Sequence, residues 1–143
     1  MGARHATRML ALQALYALEM NSDAVPAEVI KSTWEETEAA GLDRDFLEGL
    51  VLGTWSNVKE LDRKLERYSQ HWKISRMDRV DKSILRLAVY ELVFSPETPG
   101  PVILDEGIEL AKEFGTPESA SFVNGILDRI ARDTRRSEFS AEA

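Results

Sequence analysis

The chain contains no cysteine. That excludes disulfide staples, thiolate metal sites and cysteine nucleophiles, and it suits a cytosolic protein without requiring one. Histidine is almost as scarce. His5 and His71 stand alone, and neither falls in a zinc spacing such as His-Glu-x-x-His. There is no glycine-rich phosphate loop and no serine in a nucleophile elbow. No apolar run approaches the ~20 residues that a membrane span needs. The opening "MGARHATRML" has a basic flavour but no signal-peptide cleavage pattern, and Gly2 lacks the Ser or Thr at position 6 that myristoylation takes. The expectation is a protein that is not an enzyme, with no catalytic residue, no cofactor, no metal and no membrane contact.

What remains is ample for one ordinary domain. The 143 residues are 43% hydrophobic, enough to fill a core. The net charge of −7 argues against a general nucleic-acid binder. It is unevenly spread. Residues 21–50 hold eight acids and two bases, whereas residues 51–94 hold six acids and nine bases. An acidic protein can own a local basic face, and the local face is what a phosphate meets.

Every periodic segment reads as a helix. The first runs from about Arg4 to Met20 and is apolar nearly all round from Leu10 to Leu18, as a helix buried on more than one side would be. A shorter helix follows Pro26, and "AAGLD" is a turn. Asp43 is a good N-cap for a long pattern through Tyr68, which Gly53 or Ser56-Asn57 could kink or split. Ser75 with Asp78 resembles a capping box ahead of the stripe Val80, Ile84, Leu87, Ala88 and Leu92, the expected central helix. "SPETPGP" is a loop, "VILDEGIELAKEFG" a helix with Gly115 at C′, and Thr116-Pro117-Glu118 the cap of another. That last helix should run through Asn124-Gly125 to about Arg135. Asn-Gly is a hairpin dipeptide, but Phe122, Val123, Ile126, Leu127, Ile130 and Ala131 keep helical spacing. The missing side chain of Gly125 is expected to admit a second helix. "TPGPVIL" could pass for a strand, but a lone strand has no partner. The expected fold is an all-α bundle of about six or seven helices over residues 1–135, with a frayed tail at 136–143.

Three constellations carry possible chemistry. Arg4, His5 and Arg8 open the first helix, where free N–H groups and the dipole favour anions; spacing alone favours a solvated terminus. Arg79, Lys82 and Arg86 form a second basic stripe, or the wet face of the central helix. Phe122 is a core residue or, if exposed near Ser121, a platform for base stacking. Asp105, Glu106 and Glu109 could approach a magnesium ion but read better as a solvated helix face. His71 beside Trp72 reads as a helix-end surface residue.

"RHATRMLALQALYALEM", "VDKSILRLAVYEL", "VILDEGIELAKEFG" and "SFVNGILDRIA", in this order, resemble the NusB family of transcription antitermination factors over about residues 4–135. The resemblance implies an all-helical domain of two packed subdomains that binds boxA-type RNA in ribosomal RNA leaders. It implies a heterodimer with NusE, a small-subunit ribosomal protein, and assembly with RNA polymerase and other Nus factors in the cytoplasm. On it, RNA contacts fall to Arg4, His5, Arg8, Gln13, Tyr16, Ser121 and Phe122, and partner contacts to Asp81 and Glu118. Ala6 interrupts an arginine run that is longer in many members, and Ser121 replaces a common lysine. Both departures imply more reliance on the partner for RNA affinity. The same domain occurs fused to a methyltransferase of 16S ribosomal RNA, but no cofactor loop is found here. The alternative function is a stand-alone helical protein-interaction module. A homodimer stays open.

Overall fold

A computed structural model describes residues 2–37, 41–69 and 72–139. Among these residues there is no strand, and eight α-helices account for most of the chain. The chain divides into two compact units, residues 1–57 and 58–143.

The first unit holds α1 (Gly2–Met20), α2 (Pro26–Glu36) and α3 (Arg44–Ser56). Each packs on the other two. The core takes Leu15 and Leu18 from α1, Ile30 from α2, and Leu47, Leu50 and Val51 from α3. Pro26 sits in the first turn of α2, where its missing N–H costs nothing. Gly41 has φ +81°, a conformation that favours glycine. Asp43 caps α3 as expected, its carboxylate accepting the Phe46 N–H at 2.9 Å. The long pattern does split, at Asn57, whose amide donates back to the Gly53 carbonyl at 2.8 Å.

The second unit holds α4 (Val58–Tyr68), a 3-10 turn (Ile74–Arg76), α5 (Arg79–Phe94), α6 (Gly100–Phe114), α7 (Ser119–Thr134) and α8 (Arg136–Phe139). Helix α5 is central, packing on α4, α6 and α7. All of residues 81–89 are buried. The capping box is not formed. Ser75 lies in the 3-10 turn, and Asp78 itself caps α5 by accepting from Val80 and Asp81 N–H. "GPVIL" belongs to α6, so the strand option fails. Gly115 is extended, at φ −96°, and not left-handed. A β-carbon there would collide with Ser119, so glycine is needed for close approach. Thr116 does not cap α7. Its N–H donates to the Ser119 hydroxyl at 2.9 Å, and the helix begins at Ser119.

Two further expectations are corrected. Helix α7 does run through Asn124-Gly125, but no helix approaches Gly125. The close contact lies at Gly107, where a β-carbon would stand 2.9 Å from Leu127 Cδ1. Residues 136–139 of the expected tail are helical, and Phe139 is buried against Gly100. Arg135 explains this ordering. Its guanidinium uses all five N–H donors: on the carbonyls of Glu91, Leu92, Ser95 and Thr98, and on Glu138. It thereby supplies a donor to the Leu92 carbonyl at the end of α5 and to the Thr98 carbonyl in the loop, and adds a second donor to Glu91 and Ser95, whose carbonyls already accept the N–H of Ser95 and Thr98.

Candidate nucleic-acid and partner interface

In the first unit, α1 presents Arg4, His5, Gln13 and Tyr16. Arg4 and Gln13 are exposed and Tyr16 is 38% exposed; His5 is half-buried. Helical spacing puts Arg4 and Arg8 on one face, and both lie over the ring of Phe46, at 4.1 and 5.3 Å from its centroid. They differ in access. Arg8 is only 3% exposed, so it is not part of a solvated terminus. Gln13 also lines a groove of about 560 Å³ between α1 and α2, whose charged lining residues are Glu28 and Glu36.

In the second unit, Phe122 is half-buried and meets the exposed Trp72 edge-to-face, with ring centroids 6.1 Å apart. Ser121 is exposed beside it. These aromatic rings bound a groove of about 310 Å³ that also takes Arg76, Asp78, Asp81 and Glu118. The two expected partner residues therefore share one groove. Their environments are unlike. Glu118 is exposed, whereas Asp81 is 7% exposed. Burial pushes the Asp81 carboxyl above its ordinary range; a hydrogen bond from Ser119 opposes this, and the charge of Asp78 adds to it. Among the described residues, Asp81 Oδ1 has no hydrogen-bond partner. An acid so placed is suited to a cation brought by a partner.

The second basic stripe does not exist as a surface. Arg86 is buried and forms a bidentate pair with Asp62, both contacts at 2.7 Å. Lys82 is 7% exposed, and only Arg79 faces solvent. The helical period placed these three on one side, but the central position of α5 buries that side too. The acids of α6 make no metal cluster: among the described residues, no group of three or more His, Cys, Asp or Glu side chains could hold an ion. His71 lies outside the described residues. Trp72 and Arg129 were missed in the sequence. The only signal was a tryptophan set among polar residues, which shows its significance once Phe122 is beside it.

Comparison with known proteins places the chain in a family. Residues 5–132 match the model of the NusB family. The Transcription antitermination protein NusB of Myxococcus xanthus is 45% identical, over 92% of this chain and 96% of that protein. Its namesake from Geobacter sulfurreducens is 46% identical, over 92% and 95%. These relatives are named for antitermination and not for catalysis, in keeping with the non-enzymatic expectation. Among solved structures, Thermotoga maritima NusB superposes with a TM-score of 0.85 at 33% identity, covering 96% of each chain. A chain from a crystal structure of antitermination factors NusB and NusE in complex with dsRNA gives 0.83 at 27% identity, over 93% of this chain and 98% of that one. Matched from end to end of its helical core, this chain belongs to the NusB family.

Proposed function

We propose that the protein is an antitermination factor that binds boxA-type RNA of ribosomal RNA leaders together with NusE, and acts on RNA polymerase with other Nus factors in the cytoplasm. The observation that carries this reading is the likeness, over 93% of the chain, to NusB in a complex with NusE and RNA. The residues support it in two places. On α1, Arg4 supplies an exposed cation at a helix start, with His5, Gln13 and Tyr16 on the same helix. On α7, Phe122 and Ser121 offer a ring and a hydroxyl. Arg8 supports the site from below, holding Phe46 beneath Arg4. Asp78, Asp81 and Glu118 share one groove with Arg76, and the three carboxylates support its reading as the surface for cationic side chains of NusE.

Phosphate contacts give affinity with little sequence information, whereas stacked bases add affinity that salt does not screen. Titrating boxA RNA with and without NusE across a salt series tests the proposal. Arg4→Ala should weaken boxA and scrambled RNA alike and lower the salt slope by ~0.7. Phe122→Ala should cost ~1–3 kcal/mol with the slope unchanged. Tight NusE binding without RNA affinity in the complex would favour the stand-alone interaction module instead. Sedimentation of the free protein reads any homodimer.

A further inference from the structure

Helix α7 carries a glycine that the fold does not need. Among the described residues, a β-carbon at Gly125 would meet only Arg129 Nη2, at 3.7 Å, an ordinary contact. The backbone is helical there, and glycine weakens a helix interior relative to alanine. Packing therefore gives no reason for the missing side chain. What the glycine does is open the floor of a pocket of about 190 Å³, walled by Trp72 and Phe122, with Ser69, Ser121 and Arg129 around it. Arg129 is fixed at this pocket: its Nε donates to the Gly125 carbonyl at 3.1 Å and its Nη1 to the Tyr68 carbonyl at 3.0 Å.

Trp72 and Phe122 form a shared wall. On one side lies the groove with three acids, Asp78, Asp81 and Glu118, and one base, Arg76; on the other, Arg129 is the only charged lining residue among the described residues. The acidic side suits a protein cation. The Gly125 side has flat apolar walls and a fixed guanidinium, which suit a flat ring joined to an anion. Its volume is below that of pockets for drug-sized ligands, and fits a single ring system.

We propose that Gly125, Trp72, Phe122 and Arg129 form a receptor for one unstacked base of single-stranded RNA, with Arg129 meeting the adjoining phosphate. This rests on the RNA-binding reading above and adds to it a floor, a second aromatic wall and a phosphate contact. Any base can stack on such a wall, so the pocket supplies affinity more than sequence choice.

The test is Gly125→Leu, which fills the pocket from its floor. With NusE bound, the affinity for single-stranded boxA-type RNA should fall about tenfold, with the salt slope unchanged. The melting temperature should not fall below the parent's, and NusE affinity should match it. Arg129→Met should instead lower the slope by ~0.7. RNA should quench the emission of the parent more than that of Trp72→Leu. Parent-like RNA affinity in Gly125→Leu overturns the proposal. So does weakened NusE binding with RNA affinity retained, which would give the pocket to a protein side chain. Should leucine lower the melting temperature, Trp72→Leu decides: about tenfold weaker RNA binding supports the receptor, and parent affinity overturns it. A parent complex that binds no RNA at all sinks the functional proposal itself, and this inference with it.

Discussion

The two faces of α7 use similar residues in opposite ways. On the inward face, Val123 and Leu127 pack on Gly107 of α6 so closely that a β-carbon would find no room. Just beyond the helix, Arg135 is buried and donates every N–H it has. On the outward face, a β-carbon at Gly125 would make only an ordinary contact, with Arg129 at 3.7 Å, and Arg129 is exposed. A glycine and an arginine serve packing on one side and leave a pocket on the other. Neither residue type announces which role it has. The neighbouring helices decide.

The largest expected effect is at Arg135. Arg135→Met keeps most of the stem but takes the donor from the Leu92 and Thr98 carbonyls, each of which costs ~1–3 kcal/mol if left unpaired. The loss in unfolding free energy should be roughly 3 kcal/mol, read by denaturant titration. A parent-like midpoint would show that water replaces the guanidinium at no cost, and that the inward face is less closed than described.

Gly107→Leu comes next. Overpacking against Leu127 and Val123 should destabilise by ~1–3 kcal/mol, while the same substitution at Gly125 should not lower the melting temperature. Equal losses at the two glycines would abolish the distinction between the faces.

Asp81 sharpens the comparison through pH. Its carboxyl holds its proton above the ordinary range because burial disfavours the charge. The native state then binds more protons than the unfolded state in the window between the ordinary and the raised pKa, so stability falls as pH rises through that window. Asp81→Asn removes this dependence. Relative to the variant, the parent should gain stability as the pH is lowered through the window and lose it towards neutrality. A difference in melting temperature that stays constant with pH would mean that Asp81 is solvated like Glu118.

The smallest effect is Gly125→Ala, whose β-carbon fits. It should stabilise the helix by up to ~1 kcal/mol. A fall in melting temperature would show that the backbone at Gly125 is held by something that a methyl group disturbs.

Much of the architecture was legible because helical periodicity is local. Apolar spacing located α1, α5, α6 and α7, and outweighed the hairpin dipeptide at Asn124-Gly125. Asp43 and Pro26 marked their helix starts through backbone chemistry that needs no distant partner. Competition between local caps was harder to read: Ser75, Thr116 and Gly115 each had the right residue type, but Asp78 and Ser119 took the hydrogen bonds.

The amino-acid sequence by itself determined the helical class, most element positions and, through four motifs taken together, the family. Tertiary structure alone decided burial. Arg79, Lys82 and Arg86 share a side by spacing, yet packing around α5 buried two of them and left one in solvent. Arg4 and Arg8 share a ring by spacing, yet only Arg4 is exposed. Whether a glycine admits a helix or a ligand depends on what stands opposite it. That is set by residues far away in the chain, which no local period encodes.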